Sequence, residues 1–438
     1  MSLYNMTPNG VEQQPTPEFV ALDPDDANRL GQQHYLAGDF ARAEECWLAV
    51  VKADPKHAFA WGNLGLIWMH TGYYDDALQC MMLSKELNPD NAVNITNLGY
   101  VHDMLGYPEH AIALYKRALE MSPGDARTQA NLAHAYLHRF EFAKGWALMD
   151  GRFNTVPKMS VMREYPFPLW DGQPCRKLAI WREQGIGDQI AYATMLPDLI
   201  ARGQDFVCEL DERLLPAFRR SFPQSDFVGK GHAGVGFEGC DAHIPLMSLA
   251  QFFRPDAESF IAQPKRLLRA DWRVDTGMPE HWKRRIAISW RSFHPPINIG
   301  QERRKSTTLS VFAPLALRDD LELITVQYGD VKGEIEDFRL ANPLTVPALD
   351  LFNDIDGILA LISTCDAVVT TSNVTAHFAG ALGVPCYLMY LRGIAPFYYH
   401  RPGPDGRSLW YPSVRIVSGE DVVNWEEAVG KVNVMLSH

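Results

Sequence analysis

The sequence predicts a superhelix of stacked helix pairs followed by an α/β region made of two doubly wound halves. Three observations carry this expectation. From about Pro24 to Asp150 the chain repeats with a 34-residue period: Pro55, Pro89 and Pro123 are in step, as are Gly38, Gly72 and Gly106, and Ala43, Ala77 and Ala111. Beyond about Arg176 the period disappears, and short apolar runs alternate with helical stretches, as in parallel sheets covered by helices. Third, Cys365 to Tyr390 reads as a strand, a small polar turn, a helix and a second strand. Its first run is rich in Val and Thr, as a buried parallel strand requires. Ser372, Asn373 and Thr375 offer capping oxygens before the helix, and Gly383 and Pro385 stop it.

Each repeat reads as a helix pair with a small-residue contact between its helices and Pro at the turn into the next unit. Leu30, Leu64, Leu98 and Leu132 extend the register over four units. This pattern resembles the tetratricopeptide repeat over three units, Pro24 to His57, Ala58 to Asn91 and Ala92 to Asp125, with a fourth that drifts after Tyr136. Cys46 and Cys80 share the period and read as packing positions. Asn63, Asn97 and Asn131 also recur at the period, with Arg29 in that column of the first unit. Stacked repeats align equivalent residues on one face, and a row of amides can pair with the main chain of an extended peptide. Tetratricopeptide arrays of protein O-glycosyltransferases carry such an asparagine ladder. The alternative is that Asn is simply a common residue of this repeat.

Between Phe153 and Pro174 a Pro- and aromatic-rich stretch predicts an extended, stiff joint. Strands are expected at Leu178 to Trp181, Phe206 to Leu210, Phe227 to Val228 and Ala242 to Ile244. Gln184, Gly185 and Gly187 form the turn after the first of these, with a helix from about Asp188. A second set starts near Arg284: a strand ending in Ser289 and Trp290, a basic loop over Gln301 to Thr308 that holds Arg304 and Lys305, and a strand over Leu321 to Gln327. In such sheets ligands bind beyond the carboxyl ends of the strands. Ser289, Gln327 and Ser372 lie at such ends, Lys305 can reach them, and His377 sits in the first turn of a helix whose N-terminus suits an anion.

The repeat array followed by W-R-E-Q-G-I-G-D (Trp181 to Asp188), by S-N-V-T-A-H-F-A-G-A-L-G (Ser372 to Gly383) and by W-Y-P-S (Trp410 to Ser413) resembles the bacterial glycosyltransferases related to the lipopolysaccharide heptosyltransferases. Their repeat-bearing members include enzymes that modify flagellin or other proteins. The resemblance implies a GT-B fold, two Rossmann-like halves with the active site in the cleft, and an acceptor side before a nucleotide-sugar side. It implies that Asp188 is the general base, beside the acceptor turn of Gln184, Gly185 and Gly187. It implies that Lys305 contacts the donor diphosphate and that the turn from Ser372 to His377, with Asn373 and Thr375, cradles it. Ser289 and Gln327 join the expected donor site by their strand-end positions, and Arg304 by its place in the basic loop. Where the heptosyltransferases have Asp-Thr-Gly, this chain has Ser372, Asn373 and Val374. Asp188 also suits an N-cap. A metal-free transferase stabilises the departing diphosphate with N–H groups, Lys or Arg. No D-x-D stands beside the donor loop, and Asp354 to Asp356, which fits the pattern, precedes a helix far in sequence from the basic loop. The expectation is therefore inverting, metal-independent transfer to a protein, with the nucleotide-sugar as substrate and no cofactor.

With 438 residues the chain suggests two to four domains. The expected division is a disordered lead-in over 1–23, repeats over 24–152, a linker over 153–175, and α/β halves over 176–282 and 283–438. A net charge of −12 argues against nucleic acid or an anionic membrane as partner. No apolar run is long enough to span a bilayer, the N-terminal residues lack a signal-peptide core, and seven scattered cysteines suit a reducing cytoplasm. Two other functions remain open at this level: a noncatalytic adaptor with a vestigial sugar-nucleotide domain, and a transferase acting on a glycan or lipid.

Overall fold

The computed structural model describes residues 17–437 apart from 21, 231–235, 279–281, 293–304, 393, 395 and 420. One compact unit holds the helices up to Arg139; the other runs from Phe140 and holds both sheets.

A short helix, α1 (Pro17–Val20), falls within the expected lead-in. Helix pairs follow: α2 (Pro24–Leu36) with α3 (Phe40–Ala53), α4 (Ala58–Thr71) with α5 (Tyr74–Leu87), α6 (Ala92–Met104) with α7 (Pro108–Met121), then α8 (Ala126–His138). The caps repeat as the sequence does. His57, Asn91 and Asp125 each accept the N–H three residues on, at 3.0–3.1 Å, so one orphan donor of α4, α6 and α8 is satisfied. Gly38, Gly72 and Gly106 take left-handed φ values of 80–90° after the first helix of each pair, a conformation that costs glycine nothing.

The small-residue contact lies at Gly31, Gly65 and Gly99. A Cβ there would stand 2.6–2.7 Å from Trp47, Met81 and Tyr115, which are themselves 34 residues apart. Ala43, Ala77 and Ala111 are fully buried beside them, as are Cys46 and Cys80. Each pair thus closes as a bulky residue against a gap.

In the second unit α9 (Phe142–Met149) leads into the joint. The joint is extended, but it is packed down rather than free. Phe153, Tyr165 and Phe167 pack around Trp181 and Val207, Arg163 pairs with Glu209, and the Trp170 N–H donates to the His243 carbonyl at 2.8 Å. The first sheet is parallel, in the order β3-β2-β1-β4, from β1 (Leu178–Trp181), β2 (Phe206–Glu209), β3 (Asp226–Val228) and β4 (Ala242–Pro245). Its helices are α10 (Ile186–Ala193), α11 (Leu196–Ala201), α12 (Leu215–Ser221) and α13 (Ala250–Phe253).

The second sheet is also parallel, in the order β6-β5-β7-β8-β9. Its strands are β5 (Arg284–Ser289), β6 (Leu321–Thr325), β7 (Ala367–Thr370), β8 (Cys386–Met389) and β9 (Val414–Val417). Around it lie α14 (Ala313–Ala316), α15 (Lys332–Arg339), α16 (Ile355–Ser363), α17 (Val374–Leu382) and α18 (Trp425–Met435). β9 and α18 add an edge strand and a covering helix that the sequence reading did not anticipate. Ile286, Ile288 and Val369 of the sheet form one core with Val429 and Val432 of α18.

Gly99→Ala should lower the stability of the array by about 1–3 kcal/mol, the usual cost of overpacking, although alanine is the better helix former by about 1 kcal/mol. Gly124→Ala, where a Cβ meets nothing within 4 Å, is the control. Denaturant melts with equal midpoints for Gly99→Ala and the parent would show that the Tyr115 ring simply gives way.

Candidate functional site

The turn after β1 and the turn after β7 open onto one pocket of about 310 Å³. Both follow the carboxyl ends of parallel strands, where α/β sheets place ligands. Gly185, Gly187 and Asp188 line it from the first sheet; Lys305, Ser372, Asn373, Val374 and His377 line it from the second. Arg213, Tyr328, Phe352 and Tyr399 complete the polar and aromatic wall.

Asp188 is not the N-cap of its helix. Gly185 takes that position, and Asp188 lies three residues inside, half-buried. Burial pushes its carboxyl above the usual range, while the Tyr399 hydroxyl, the Gly185 N–H and the Lys305 charge hold it down. The Tyr399 hydroxyl donates to Asp188 Oδ1 at 3.2 Å. Burial also lowers the Lys305 ammonium, and Asp188 opposes that shift. Each charge is thus desolvated and each compensates the other.

His377 is held neutral. Burial first and Lys305 second push its pKa down to about 3. Its Nδ1 lies 3.0 Å from the Tyr411 hydroxyl, and its ring lies over Gly187, where a Cβ would meet Cδ2 at 2.8 Å. The ring can offer a ligand a hydrogen bond but no charge.

Ser289, Gln327 and Thr375 do not reach the pocket. All are buried, and with Asn373 they build its back wall. Gln327 Oε1 accepts from Ser289 Oγ at 3.0 Å and from the N–H groups of Trp290 and Arg291 at 2.7 Å. Asn373 Nδ2 donates to Ser289 Oγ at 2.8 Å, and its Oδ1 caps α17 by accepting the Thr375 N–H at 2.9 Å. Because that N–H is capped, Ser372 and Val374 face the pocket instead. Ser372 Oγ accepts from the Tyr390 hydroxyl at 2.9 Å. Gln184 is exposed and donates to the Met159 carbonyl at 3.2 Å, away from the pocket. Arg304 lies outside the described residues.

The D-x-D pair is engaged elsewhere. Asp354 caps α16 through the Gly357 N–H at 2.8 Å, and Asp356 pairs with Arg220. Among the described residues no three His, Cys, Asp or Glu side chains gather as a metal site, and no helix is long and apolar enough to cross a membrane.

The asparagine column is partly engaged inside the array. Asn63 Nδ2 donates to Asn28 Oδ1 at 3.2 Å. Asn97 is buried and its Oδ1 accepts from Arg127 at 2.9 Å. Asn131 Nδ2 is buried without a partner.

Sequence reasoning missed Tyr399, Arg213 and Phe352. Tyr399 lies in the run Phe397 to His400, whose local sequence carries no turn or strand pattern that would mark it. Arg213 donates to the Phe352 carbonyl at 3.0 Å and stacks over that ring, a pairing across 139 residues that no local pattern reveals.

Comparison with known proteins sets the class of the N-terminal region. Residues 28–91 and 94–125 match tetratricopeptide-repeat family models. The region is a tetratricopeptide superhelix, and an α/β region of parallel sheets follows it. Protein FlbA of Caulobacter vibrioides is 29% identical over 325 residues, which cover 67% of this chain and 52% of that protein. The chain therefore spans about half the length of this curated relative. Among solved structures, MamA aligns at 21% identity with a TM-score of 0.29, over 31% of this chain and 80% of its own. YrrB, described as a TPR protein with an unusual peptide-binding site, aligns at 16% identity with a TM-score of 0.28, over 31% of this chain and 70% of its own.

The folded pKa of His377 lies below the unfolded value of about 6.5, so the folded state binds fewer protons. Its contribution to stability is complete above pH 6.5 and is lost as pH falls toward 3. His377→Asn should therefore flatten the fall in Tm between pH 6.5 and about 4. Equal slopes for variant and parent would show that the ring titrates freely in the fold.

Proposed function

We propose that the protein is an inverting, metal-independent glycosyltransferase of GT-B architecture. It moves a sugar from a nucleotide-sugar donor to a polypeptide that the repeats select. The observation that carries this reading is the meeting of Asp188, Lys305, Ser372 and His377 around one pocket, from segments far apart in the chain. The sequence resemblance assigns donor and base roles to these same residues.

Glycosyl transfer develops positive charge at the sugar carbon and negative charge on the departing diphosphate. Lys305, the Ser372 hydroxyl and the N-terminus of α17 supply the groups that stabilise such an anion. The neutral His377 ring adds a hydrogen bond. On the other side Asp188 takes the proton of the acceptor hydroxyl as that oxygen attacks, which gives inversion. Tyr399 orients the carboxylate and favours its charged form. Arg213, Tyr328 and Phe352 offer flat surfaces to the rest of the donor.

Lys305→Ala should weaken nucleoside-diphosphate binding by about 1.5–3 kcal/mol, the worth of a charge-assisted hydrogen bond. Calorimetry with a panel of nucleotides and sugar nucleotides measures this, and an unchanged affinity for whichever one binds counts against the donor site. Asp188→Asn should lower turnover about 100- to 10,000-fold with little change in donor affinity; near-parental turnover would place the base elsewhere. Tyr399→Phe removes a group that holds the Asp188 pKa down. Activity requires the carboxylate, so the acid limb of the rate profile should move to higher pH. An unmoved limb would reduce Tyr399 to packing.

A further inference from the structure

Phe59, Val93 and Arg127 occupy one position in three successive repeats. Each is the second residue of the first helix of its pair, in α4, α6 and α8. All three are exposed, Phe59 at 57% and Val93 at 65%. Exposed apolar side chains at one repeat position differ from apolar residues scattered singly, which need no explanation.

Asn63, Asn97 and Asn131 follow them by four residues, one helical turn, and so share their face. Side chains join these faces across repeats. Asn63 reaches Asn28 of α2, Arg127 reaches Asn97 of α6, and the Thr96 and Thr128 hydroxyls meet at 2.7 Å. The Arg127 charge also acts on Tyr35 in α2 and His70 in α4. These hydrogen bonds join the first helices of successive repeats side by side, and Arg127 stands exposed on their shared surface. Among the described residues Arg127 forms no ion pair; its hydrogen bond to the neutral Asn97 holds the guanidinium and leaves its charge uncompensated.

We propose that this row binds a polypeptide in polyproline-II conformation with two apolar side chains and one carboxylate at steps of three residues, the carboxylate on Arg127. Packed helices lie about 8–10 Å apart, and one turn of a polyproline-II chain, three residues, spans about 9 Å and returns its side chains to the same face. One ligand side chain therefore falls on each repeat. Phe59 and Val93 take the apolar pair, and the guanidinium takes the acid. Asn97 acts through Arg127 as a positioning residue rather than as a direct grip on the peptide. The inference rests on the reading of the repeats as the acceptor-selecting part, and it names the side chains selected.

Full-length protein, with no donor present, is panned against a random display library of peptides. Enriched sequences should carry Asp or Glu three residues from one apolar position and six from another. The strongest enriched peptide, made synthetically, should bind Arg127→Ala about ten- to a hundredfold more weakly in fluorescence anisotropy. Arg127→Glu should exchange the acidic preference for Lys or Arg at the same position, which a misfolded array could not do. Phe59→Ala should relax the outer apolar preference alone. No enrichment, enrichment without an acidic position, or an unchanged preference in Arg127→Glu would overturn the assignment. Peptide selection with no sugar transfer would refute only the enzymatic reading; transfer without the apolar and acidic signature would refute only this row.

Discussion

The pocket depends on the close approach of two helix N-termini, and that approach depends on residue 187 having no side chain. α10 and α17 each follow a strand of a different parallel sheet, and the His377 ring of one lies directly on Gly187 of the other. The ring is fixed from behind by the Tyr411 hydroxyl. Tyr411 in turn occupies the space that a Cβ on Gly380 would need. Two glycines thus admit two rings, and their close packing desolvates the groups around them. The electrostatics follow from that dryness. Burial holds His377 neutral and drives Asp188 and Lys305 toward their neutral forms; the Tyr399 hydroxyl, the Gly185 N–H and the Lys305 charge oppose the shift of Asp188, and Asp188 opposes that of Lys305.

Behind this contact stands a polar wall that keeps the strand ends in place. Buried amides and hydroxyls are costly unless paired, and here they are paired. The Gln327 amide accepts three donors through its oxygen and gives its N–H groups to the Arg291 and Tyr328 carbonyls. Asn373 ties the end of β5 to the start of α17 while capping that helix. A satisfied network of this kind is rigid, because moving any one member leaves several buried groups without partners. Ser372 and Val374 are therefore presented to the pocket by a network whose members Ser289 and Gln327 lie behind its lining.

Much of the fold was legible because its signals are local. The 34-residue period marks every helix pair, and the caps at His57, Asn91 and Asp125 recur with it. The short Val- and Ile-rich runs mark the central strands, since strands buried on both faces must be apolar throughout. β9 was missed because V-R-I-V carries an arginine and lies last in the sheet order, where its outer neighbour is the short segment Gly406 to Ser408 rather than a full strand. Within the site, sequence reasoning found the residues that sit in turns after strands, where topology itself points to a ligand. It could not separate those facing the pocket from those one bond behind. Ser289 ends β5, and Gln327 follows β6 by two residues as Ser372 follows β7, yet Ser289 and Gln327 turn inward. Tyr399 and Arg213 escaped altogether, since their roles arise from contacts with Asp188 and Phe352 across 211 and 139 residues.

The opposed shifts of Asp188 and Lys305 give the proposed chemistry an order. In the free pocket the ammonium of Lys305 helps to hold the Asp188 carboxyl down, and so limits its basicity. An arriving diphosphate carries more negative charge than a carboxylate and competes for that ammonium. Once Lys305 is turned to the phosphate, the carboxylate loses a stabilising cation and gains an anionic neighbour, and both changes raise its pKa. A base is most effective when its pKa approaches the working pH. Under the proposed mechanism, donor binding makes Asp188 a stronger base before an acceptor hydroxyl is engaged, while the Tyr399 hydroxyl favours its ionised form. Under that mechanism, the same burial that makes two isolated charges costly in the free protein links occupation of the proposed donor side to basicity on the proposed acceptor side.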